Sequence, residues 1–284
     1  MRIDLHTHSN ISDGTGTPAE LVAEAAAAGL DVLALTDHDS TAGWAPARDS
    51  LPPGLTLLPG MELSCRWFGT ERPIGLHLLG YLFDPAEPEL AGELARIREA
   101  RARRAERIIG LLRADGVDVT WQEVQGYAVG GVVGRPHLAE ALIRRGLVDS
   151  VSAAFAPEWL GQRYRVPKED VDVFRGLRLI RQAGGVAVFA HPRAHRRGRI
   201  VPDDLIGELA TAGLFGIEAD HPDHGPAERD HVRRLAAELG LVVTGSSDYH
   251  GRNKSVPLGA YTTAPEAYHR IVDAGRGTTP MVAA

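Results

Sequence analysis

A repeated unit of capped helix, glycine and apolar strand constrains the fold of this chain more than any other feature of its sequence. The clearest copy begins at Thr17, the predicted helix N-cap, where Glu20 completes a capping box and Gly29 marks the exit of the helix. PDDLIGELATAGL and PAERDHVRRLAAELG repeat this plan before later apolar runs. Repeated strand–helix units predict a parallel α/β architecture in which the carboxyl ends of the strands converge on one face.

The apolar runs that are typical of strands lie on both sides of a long helical stretch. The predicted strands are Ile3–Leu5, Val32–Leu35, Leu55–Leu58, Leu76–Leu82, Val186–Phe189, Phe215–Glu218 and Leu241–Thr244. From about Pro88 to Glu169 the rhythm breaks, because a long helical pattern rich in Arg and Glu is followed by further helical patterns without clear strands. We predict that this stretch is a helical insertion. One barrel with an insertion and two separate domains both fit a chain of 284 residues.

Composition and charge exclude several classes of protein. Hydrophobic residues make up 44% of the chain and charged residues 24%, a balance that is typical of a globular protein and not of a disordered or collagen-like chain. The formal net charge of −6 argues against a globally basic nucleic-acid binder. Cys65 is the only cysteine, and we recognise neither a signal peptide nor an apolar run of membrane-spanning length. We therefore expect a cytoplasmic protein with no membrane partner.

Histidine and carboxylate side chains recur at the predicted strand ends. His6 and His8 are two residues apart and therefore point the same way from an extended backbone, which suits one metal ion. Later motifs extend the set of candidate metal ligands, which is His6, His8, Asp13, His38, Glu62, His77, His191, Asp248 and His250. Clustered His, Asp and Glu side chains indicate a metal or catalytic site. Within TDHD, we predict that Asp37 and Asp39 orient the histidine ligands.

The types of ligand narrow the choice of metal. Mixed imidazole and carboxylate ligands suit Mn²⁺, Zn²⁺ or Fe²⁺, whereas Mg²⁺ and Ca²⁺ prefer sites made of oxygen ligands alone. The motifs contain no thiolate, which argues against a structural zinc site. Two metals about 3.5–4 Å apart lower the pKa of a bridging water and neutralise the oxygens of a phosphoryl group. We therefore predict that a metal-bound hydroxide is the catalytic nucleophile.

These motifs resemble those of the polymerase and histidinol phosphatase (PHP) family, through DLHTHSNISDG, TDHD, the Glu62 segment, AHP and SDYHG in that order. The resemblance covers residues 1–84 and 185–251 and implies a distorted seven-stranded (β/α)7, TIM-like barrel. It also implies two or three divalent metals, with Mn²⁺ as the leading candidate and Zn²⁺ or Fe²⁺ as alternatives. By the family pattern, one metal would be bound by His6, His8, Glu62 and Asp248, a second by Asp13, His38 and His250, and a third by Glu62, His77 and His191.

The break in the strand–helix rhythm divides the chain into three predicted segments. Residues 1–87 and 170–284 would form the two parts of the barrel, and residues 88–169 would form the helical insertion that caps it. Within this insertion, GRPH and RVPKED resemble a PHP subgroup that cleaves nucleoside 3′,5′-bisphosphates and AMP-like monophosphates and, in some members, trims short RNA from its 5′ end. Arg135 and Lys168 would then contact the substrate phosphate.

Further histidines and arginines follow the later strands. EADHPDHG contains His221 and His224, which we predict to contact the phosphate or to act as the general acid. Downstream of AHP lie His195, Arg196, Arg197 and Arg199, for which a solvated loop is the favoured interpretation.

The leading hypothesis is a metal-dependent phosphatase that hydrolyses phosphomonoesters of small nucleotides. The alternatives are a 5′–3′ exoribonuclease acting on short single-stranded RNA and a phosphoesterase similar to histidinol phosphatase. A metal-dependent C–N hydrolase is weighed as well, because the HxH motif also occurs in amidohydrolases, and so is a non-catalytic metal-binding module. The sequence does not specify the oligomeric state.

Overall fold

One mixed sheet curls into a nearly closed barrel. The computed structural model describes residues 1–283, and its strands are β1 (Ile3–Thr7), β2 (Val32–Leu35), β3 (Thr56–Trp67), β4 (Ile74–Tyr81), β5 (Val171–Asp172), β6 (Val186–Phe189), β7 (Gly216–Asp220) and β8 (Val242–Gly245). Seven strands follow the order β1-β2-β3-β4-β6-β7-β8, and the short β5 pairs with β3 outside this path. A bridge between Thr7 and Tyr249 joins the two ends of the sheet. The predicted distorted seven-stranded barrel is confirmed.

Helices surround this sheet. They are α1 (Pro18–Ala27), α2 (Trp44–Asp49), α3 (Pro88–Ala114), α4 (Trp121–Tyr127), α5 (Arg135–Arg144), α6 (Val151–Ala154), α7 (Val173–Gln182), α8 (Asp203–Thr211), α9 (Pro226–Leu239) and α10 (Pro265–Ala274). The predicted cap of α1 is present, because Thr17 Oγ1 accepts a hydrogen bond from Glu20 N at 3.1 Å and the Glu20 carboxylate accepts one from Thr17 N at 2.8 Å. Among residues 1–283, we find no helix with both the length and the apolar character that crossing a membrane requires.

The direction of β4 departs from the expected parallel order. β4 runs antiparallel to both β3 and β6, whereas β1, β2 and the first part of β3 are parallel to one another. Glu62 and His77 consequently lie within strands and not at strand ends, so the expectation of strand-end positions is wrong for these two residues. The reversal still brings His77 to the rim, because the amino-terminal half of an antiparallel strand lies beside the carboxyl ends of its neighbours.

Three separate apolar cores are present: one between the sheet and the surrounding helices, one inside the barrel and one in the insertion. The barrel interior includes Ile3, Leu5 and Tyr81, whose hydroxyl donates a hydrogen bond to Leu5 O at 2.7 Å. Between β4 and β5 the described chain contains only helices and turns, and their core includes Leu138 and Leu142. The division of the chain into barrel and insertion domains stays a prediction.

The insertion, residues 88–169, packs against loops at the rim of the barrel. Arg101 of α3 donates from Nε to Asp39 at 2.8 Å and from Nη2 to Ser64 Oγ at 2.8 Å. A Cβ atom at Gly130 would lie 2.3 Å from Ile11 O, so only glycine allows this close approach of the two backbones. The insertion is therefore in contact with the same loops that carry the candidate metal ligands.

A substitution in the core of the insertion tests whether this core contributes to stability. We expect Leu142→Ala to lower the free energy of unfolding by about 2–5 kcal/mol, because Leu142 is fully buried and its truncation leaves a cavity. Leu147→Ala, at a position 42% exposed, serves as the control and should change stability by less than about 0.5 kcal/mol. Urea unfolding measures both variants, and equal effects would contradict the assignment of this core.

Candidate metal centre

The carboxylate of Glu62 lies at the centre of the candidate site. Glu62 is 1% exposed, and its Oε2 atom lies 3.2 Å from Nε2 of His6 and 3.2 Å from Nε2 of His8. The same oxygen lies 3.2 Å from Nδ1 of His38, which follows β2 and bridges to β3 at Glu62. Candidate ligands from three neighbouring strands thus meet at one oxygen.

The second oxygen of Glu62 faces the antiparallel part of the sheet. Oε1 lies 2.6 Å from Nδ1 of His77 on β4 and 3.0 Å from Nε2 of His191, which follows β6. One buried carboxylate therefore contacts five imidazoles, an arrangement that suits a ligand shared between metal ions.

Asp248 completes the group around the first two histidines. Its Oδ1 atom lies 3.4 Å from Nε2 of His6 and 3.4 Å from Nε2 of His8. This oxygen is buried and has no hydrogen-bond partner, which is costly for a carboxylate oxygen unless a cation binds it.

A second group forms where the loop after β1 meets the loop after β8. Asp13 Oδ1 lies 3.3 Å from Nε2 of His250 and 3.6 Å from Nδ1 of His8, and Asp13 Oδ2 lies 3.7 Å from Nε2 of His38. These distances are contacts between ligand-type atoms that a single cation could bridge.

All nine predicted ligands fall into groups whose donor atoms lie within 4.8 Å of one another. These overlapping groups are His8, Asp13, His38 and His250; His6, His8 and Asp248; His6, Glu62 and His191; and His38, Glu62 and His77. Their imidazole and carboxylate donors fit divalent transition metals, and the buried Nδ1 atom of His38, like Asp248 Oδ1, lacks a hydrogen-bond partner. Which residue binds which ion stays a prediction, as does the identity of the metal.

The electrostatics of the cluster favour ionised carboxylates. Burial acts to raise the pKa of Glu62, but the imidazoles of His38, His77 and His6 outweigh it and hold the pKa well below its ordinary value. At Asp248, burial is likewise outweighed, here first by Arg197 and Lys254, and the pKa is again held well below its ordinary value. Both carboxylates are thus available as anionic ligands at neutral pH.

Asp37 and Asp39 lie beside the cluster but do not contact its histidines directly. Asp37 accepts hydrogen bonds from Ser9 N at 2.9 Å and from Ser12 Oγ at 2.7 Å, which holds the turn that carries Asp13. Asp39 accepts from Ser64 N at 2.7 Å and from Arg101. Both aspartates hold the loops that carry the candidate ligands and do not contact the imidazoles. We therefore propose that they orient the histidines indirectly, through these loops.

Backbone strain concentrates at this site. Only four non-glycine residues among residues 1–283 have a positive φ, and three of them are Asp39 (+52°), His191 (+32°) and Asp248 (+49°). Such conformations cost free energy and persist where the surroundings impose them, as they commonly do in functional sites.

Sequence reasoning missed Glu218 as a functional residue. Its side chain is buried in the middle of β7, where Oε1 lies 3.3 Å from Nδ1 of His6 and Oε2 accepts from His191 N at 2.8 Å. Glu218 thereby fixes the ring of His6 so that the opposite nitrogen, Nε2, faces Glu62. A carboxylate near the end of a predicted strand was the available signal.

Two cations contact Asp248: Arg197, which the sequence assigned to a solvated loop, and Lys254, which it did not single out. Arg197 forms an ion pair with Asp248, lies 2.7 Å from Asp223 Oδ2 through Nε, and places Nη1 3.1 Å from Nε2 of His191. Lys254 Nζ lies 2.6 Å from Asp248 Oδ2. The predicted solvated loop thus places at least one arginine at the edge of the metal centre.

His221 and His224 are buried, and their ring nitrogens already have partners. His221 contacts Asp248 Oδ2 at 3.2 Å through Nε2 and accepts from Asp223 N at 3.0 Å. His224 donates to Ala219 O at 2.8 Å and accepts from the backbone N of Arg193 at 3.1 Å. Their predicted contact with phosphate stays a prediction, and this geometry supports a structural role better.

Arg135 and Lys168 lie in the insertion among other cations. The Arg135 guanidinium stacks over the Phe155 ring with its carbon 4.8 Å from the centroid. Lys168 lines a small cavity together with Arg101 and Arg104. Burial lowers the pKa of Lys168; Asp170 opposes this shift, whereas Arg101, Arg104 and Arg135 add to it.

A model of the PHP domain matches residues 4–112. A 3′,5′-nucleoside bisphosphate phosphatase from Chromobacterium violaceum is 34% identical over 257 residues, which cover 87% of each chain. The chain belongs to the PHP family. The predicted family and enzyme class, a metal-dependent phosphoesterase, are confirmed.

Other PHP relatives have different stated activities. A 5′–3′ exoribonuclease from Haemophilus influenzae is 34% identical, with 88% of this chain and 90% of the relative covered. A phosphoribosyl 1,2-cyclic phosphate 1,2-diphosphodiesterase from Eggerthella lenta is 33% identical, with 89% and 96% covered. Membership of the family therefore establishes phosphoester chemistry without selecting one substrate.

Solved structures show the same fold over nearly the whole chain. A Bifidobacterium adolescentis protein, described as a metal-dependent phosphoesterase, has a TM-score of 0.89 at 33% identity, with 96% of both chains covered. A Chromobacterium violaceum protein, described as an amidohydrolase with bound sulfate, has a TM-score of 0.83 at 31% identity, with 96% of this chain and 97% of that chain covered. The resemblance therefore includes the insertion as well as the barrel.

Metal analysis of two variants tests the central position of Glu62. We expect two or three divalent metals per wild-type chain, and loss of activity on chelation. Glu62→Ala should lose more metal than His77→Ala, because Glu62 contacts five imidazoles whereas His77 belongs to one of the candidate groups. Elemental analysis after gel filtration measures both, and equal losses would show that Glu62 does not bridge.

Proposed function

We propose that this PHP enzyme is a phosphatase that hydrolyses phosphomonoesters of small nucleotides, such as nucleoside 3′,5′-bisphosphates or AMP-like monophosphates. The observation that carries this proposal is the position of the cation-rich insertion beside a cluster of nine imidazole and carboxylate side chains. One side of the site would bind the metals, and the other would bind the anionic substrate. The names of the nucleotide-directed relatives support the same substrate class.

The residues of the barrel would hold the reaction centre rigid. His6, His8, Glu62 and Asp248 would hold one ion, and the remaining predicted ligands would hold one or two more. When bound, such metals lower the pKa of a water and neutralise phosphoryl charge. Asp37 and Glu218 keep the ligand loop and the His6 ring in place through their hydrogen bonds. This preorganisation reduces the cost of assembling several charged groups at one point.

Several cations of the insertion lie close together, with Asp39 and Asp170 as the carboxylates near them. Burial, together with repulsion from Arg135 and Arg101, lowers the pKa of Arg104 to about 10. Arg104 donates from Nε to Val166 O at 2.8 Å, so its charge is not neutralised by that contact. Cations held together against their mutual repulsion attract anions, and an arginine fork matches phosphate oxygens. We propose that Arg135 and Lys168 hold the phosphate from this side.

The buried histidines near Asp248 would hold neighbouring groups in place and would not transfer a proton. Each ring nitrogen of His221 and His224 contacts a protein atom, which leaves none directed at a leaving group. His221 instead supports Asp248 Oδ2, so that Oδ1 points to His6 and His8. We therefore assign the two histidines to the support of the ligand loops.

A phosphate-release screen is the direct test of this function. Metal-reconstituted protein should release inorganic phosphate from nucleoside 3′,5′-bisphosphates or AMP and little from histidinol phosphate. The screen also includes 5′-phosphorylated RNA and an amide substrate. Chromatography identifies the products, so that mononucleotides trimmed from the RNA or ammonia released from the amide would be detected. Exclusive release of mononucleotides from RNA would favour the exoribonuclease alternative, and release of ammonia would contradict phosphatase function.

Substitutions in the insertion test the contact with phosphate. Arg135→Ala and Lys168→Ala should each lower kcat/KM by about 10–150-fold, because a charge-assisted hydrogen bond contributes about 1.5–3 kcal/mol in the transition state. Arg135→Lys should restore only part of the loss, since lysine lacks the bidentate fork. Metal content should remain that of the wild type.

The matched control is Arg144→Ala. Arg144 lies on the same helix as Arg135 but is exposed and pairs with Glu140. Its loss should leave kcat/KM within about twofold of the wild type, as is usual for an exposed pair. If Arg135→Ala and Lys168→Ala behave like this control on every nucleotide, the insertion does not bind the phosphate.

A further inference from the structure

A wide groove lies against the loop that follows β6. It has a volume of about 760 Å³ and is lined by the end of β3, the start of β4 and residues 198–203, together with Arg193, His195 and His231. Ligand pockets commonly measure about 300–1,000 Å³, so the groove is large enough for part of a nucleotide chain. None of the candidate metal ligands lines it.

One short turn connects this groove to the metal centre. Residues His195–Arg197 form a single helical turn. His195 lines the groove, while Arg197 pairs with Asp248 and lies 3.1 Å from His191 Nε2. The groove therefore lies within one helical turn of Arg197, which contacts two of the candidate metal ligands.

The wall of the groove is rigid and leaves positive charge exposed. Arg193 is 5% exposed, donates to Val201 O at 2.9 Å and pairs with Asp203. Asp203, the one carboxylate among the lining residues, also lies 3.0 Å from His231 Nε2. Arg199 donates to backbone carbonyls of the β3–β4 loop, so no carboxylate neutralises its charge there.

An aromatic side chain lies at the other edge of the groove. Trp67 is partly buried, and a Cβ atom at Gly69 would lie 2.2 Å from its indole ring. The glycine thus lets the backbone of the β3–β4 loop pack directly against the indole and hold it in place. An indole held in place in the same groove as an exposed arginine is a combination that binds single-stranded nucleic acid, because every base has a face that can stack.

We propose that this groove binds the downstream nucleotides of a short single-stranded RNA whose 5′-terminal phosphate lies at the metal centre. This inference rests on the proposed function for the position of the phosphate. Arg199 contacts a backbone phosphate, and Trp67 stacks on a base. The groove would make a short oligonucleotide bind more tightly than a mononucleotide without changing the reaction itself.

Two readouts on the metal-reconstituted full chain test the groove. The first is binding of a 3′-fluorescein-labelled, 5′-phosphorylated tetra-adenylate by fluorescence anisotropy, and the second is kcat/KM on AMP. Trp67→Ala and Arg199→Ala should weaken binding of the tetranucleotide by about 5- to 150-fold, as expected for loss of base stacking or of a phosphate contact. Turnover of AMP should stay within twofold of the wild type.

Matched variants separate the contacts from general effects. Arg196→Ala removes an exposed arginine from the same turn without touching the groove lining, and should bind the tetranucleotide like the wild type. Trp67→Phe should retain most of the binding because it retains an aromatic face. Arg199→Ala should also reduce the slope of log affinity against log salt by about 0.7, the value for one phosphate of a single strand.

The outcomes distinguish failure of the groove from failure of the proposed function. If Trp67→Ala and Arg199→Ala both bind the tetranucleotide with wild-type affinity, the groove does not bind RNA, whatever their kcat/KM on AMP. Absence of phosphate release by the wild type would overturn the proposed function, while the binding measurement would still decide the groove. If Trp67→Ala unfolds, Arg199→Ala and its salt slope decide. If the wild type is a dimer, both variants are monomers and binding of the tetranucleotide is unchanged, the groove receives a second copy of the chain instead of RNA.

Discussion

The buried carboxylate of Glu62 is the interaction on which the rest of this site depends. A charged carboxylate at 1% exposure is costly unless opposite charge compensates it, and the surrounding imidazoles hold its pKa low. The imidazoles need a positively charged partner for their inward-facing nitrogens, which several strands direct to the same point. Divalent cations would interact favourably with the carboxylate and with the imidazoles at once. The residues whose burial at the barrel rim costs free energy are therefore the same residues that suit the rim to bind metal.

The barrel can bring these groups together because its sheet is not uniformly parallel. The reversed β4 carries His77 to the rim in mid-strand, and the long β3 continues past Glu62 to form the outer hairpin with Trp67. The insertion between β4 and β5 then packs on the ligand loops through Arg101 and Asp39. Carboxylates and imidazoles therefore meet at the barrel rim, and partly buried cations of the insertion, such as Arg101, lie against it.

Sequence reasoning recovered the parts of the site that short motifs encode. Each of the nine candidate ligands lies in a local pattern, and all nine occur in the structural clusters, although their roles as ligands stay predictions. Glu218 was not recognised, because only the contact between residues 6 and 218 shows that it orients His6. Arg197 was assigned to a solvated loop for the same reason, since its contact with Asp248 spans 51 positions of the chain.

The sequence by itself determined what depends on neighbouring residues: the capping box at Thr17, the positions of most strands, the helical nature of the insertion and the identity of the candidate ligands. Only the tertiary structure decided the direction of β4, the sharing of Glu62 among five imidazoles and the partners of Asp248. The physical reason is that periodicity and capping act over one or two helical turns. Strand direction and charge compensation depend instead on which distant segments pack together, and several pairings are compatible with the same local pattern.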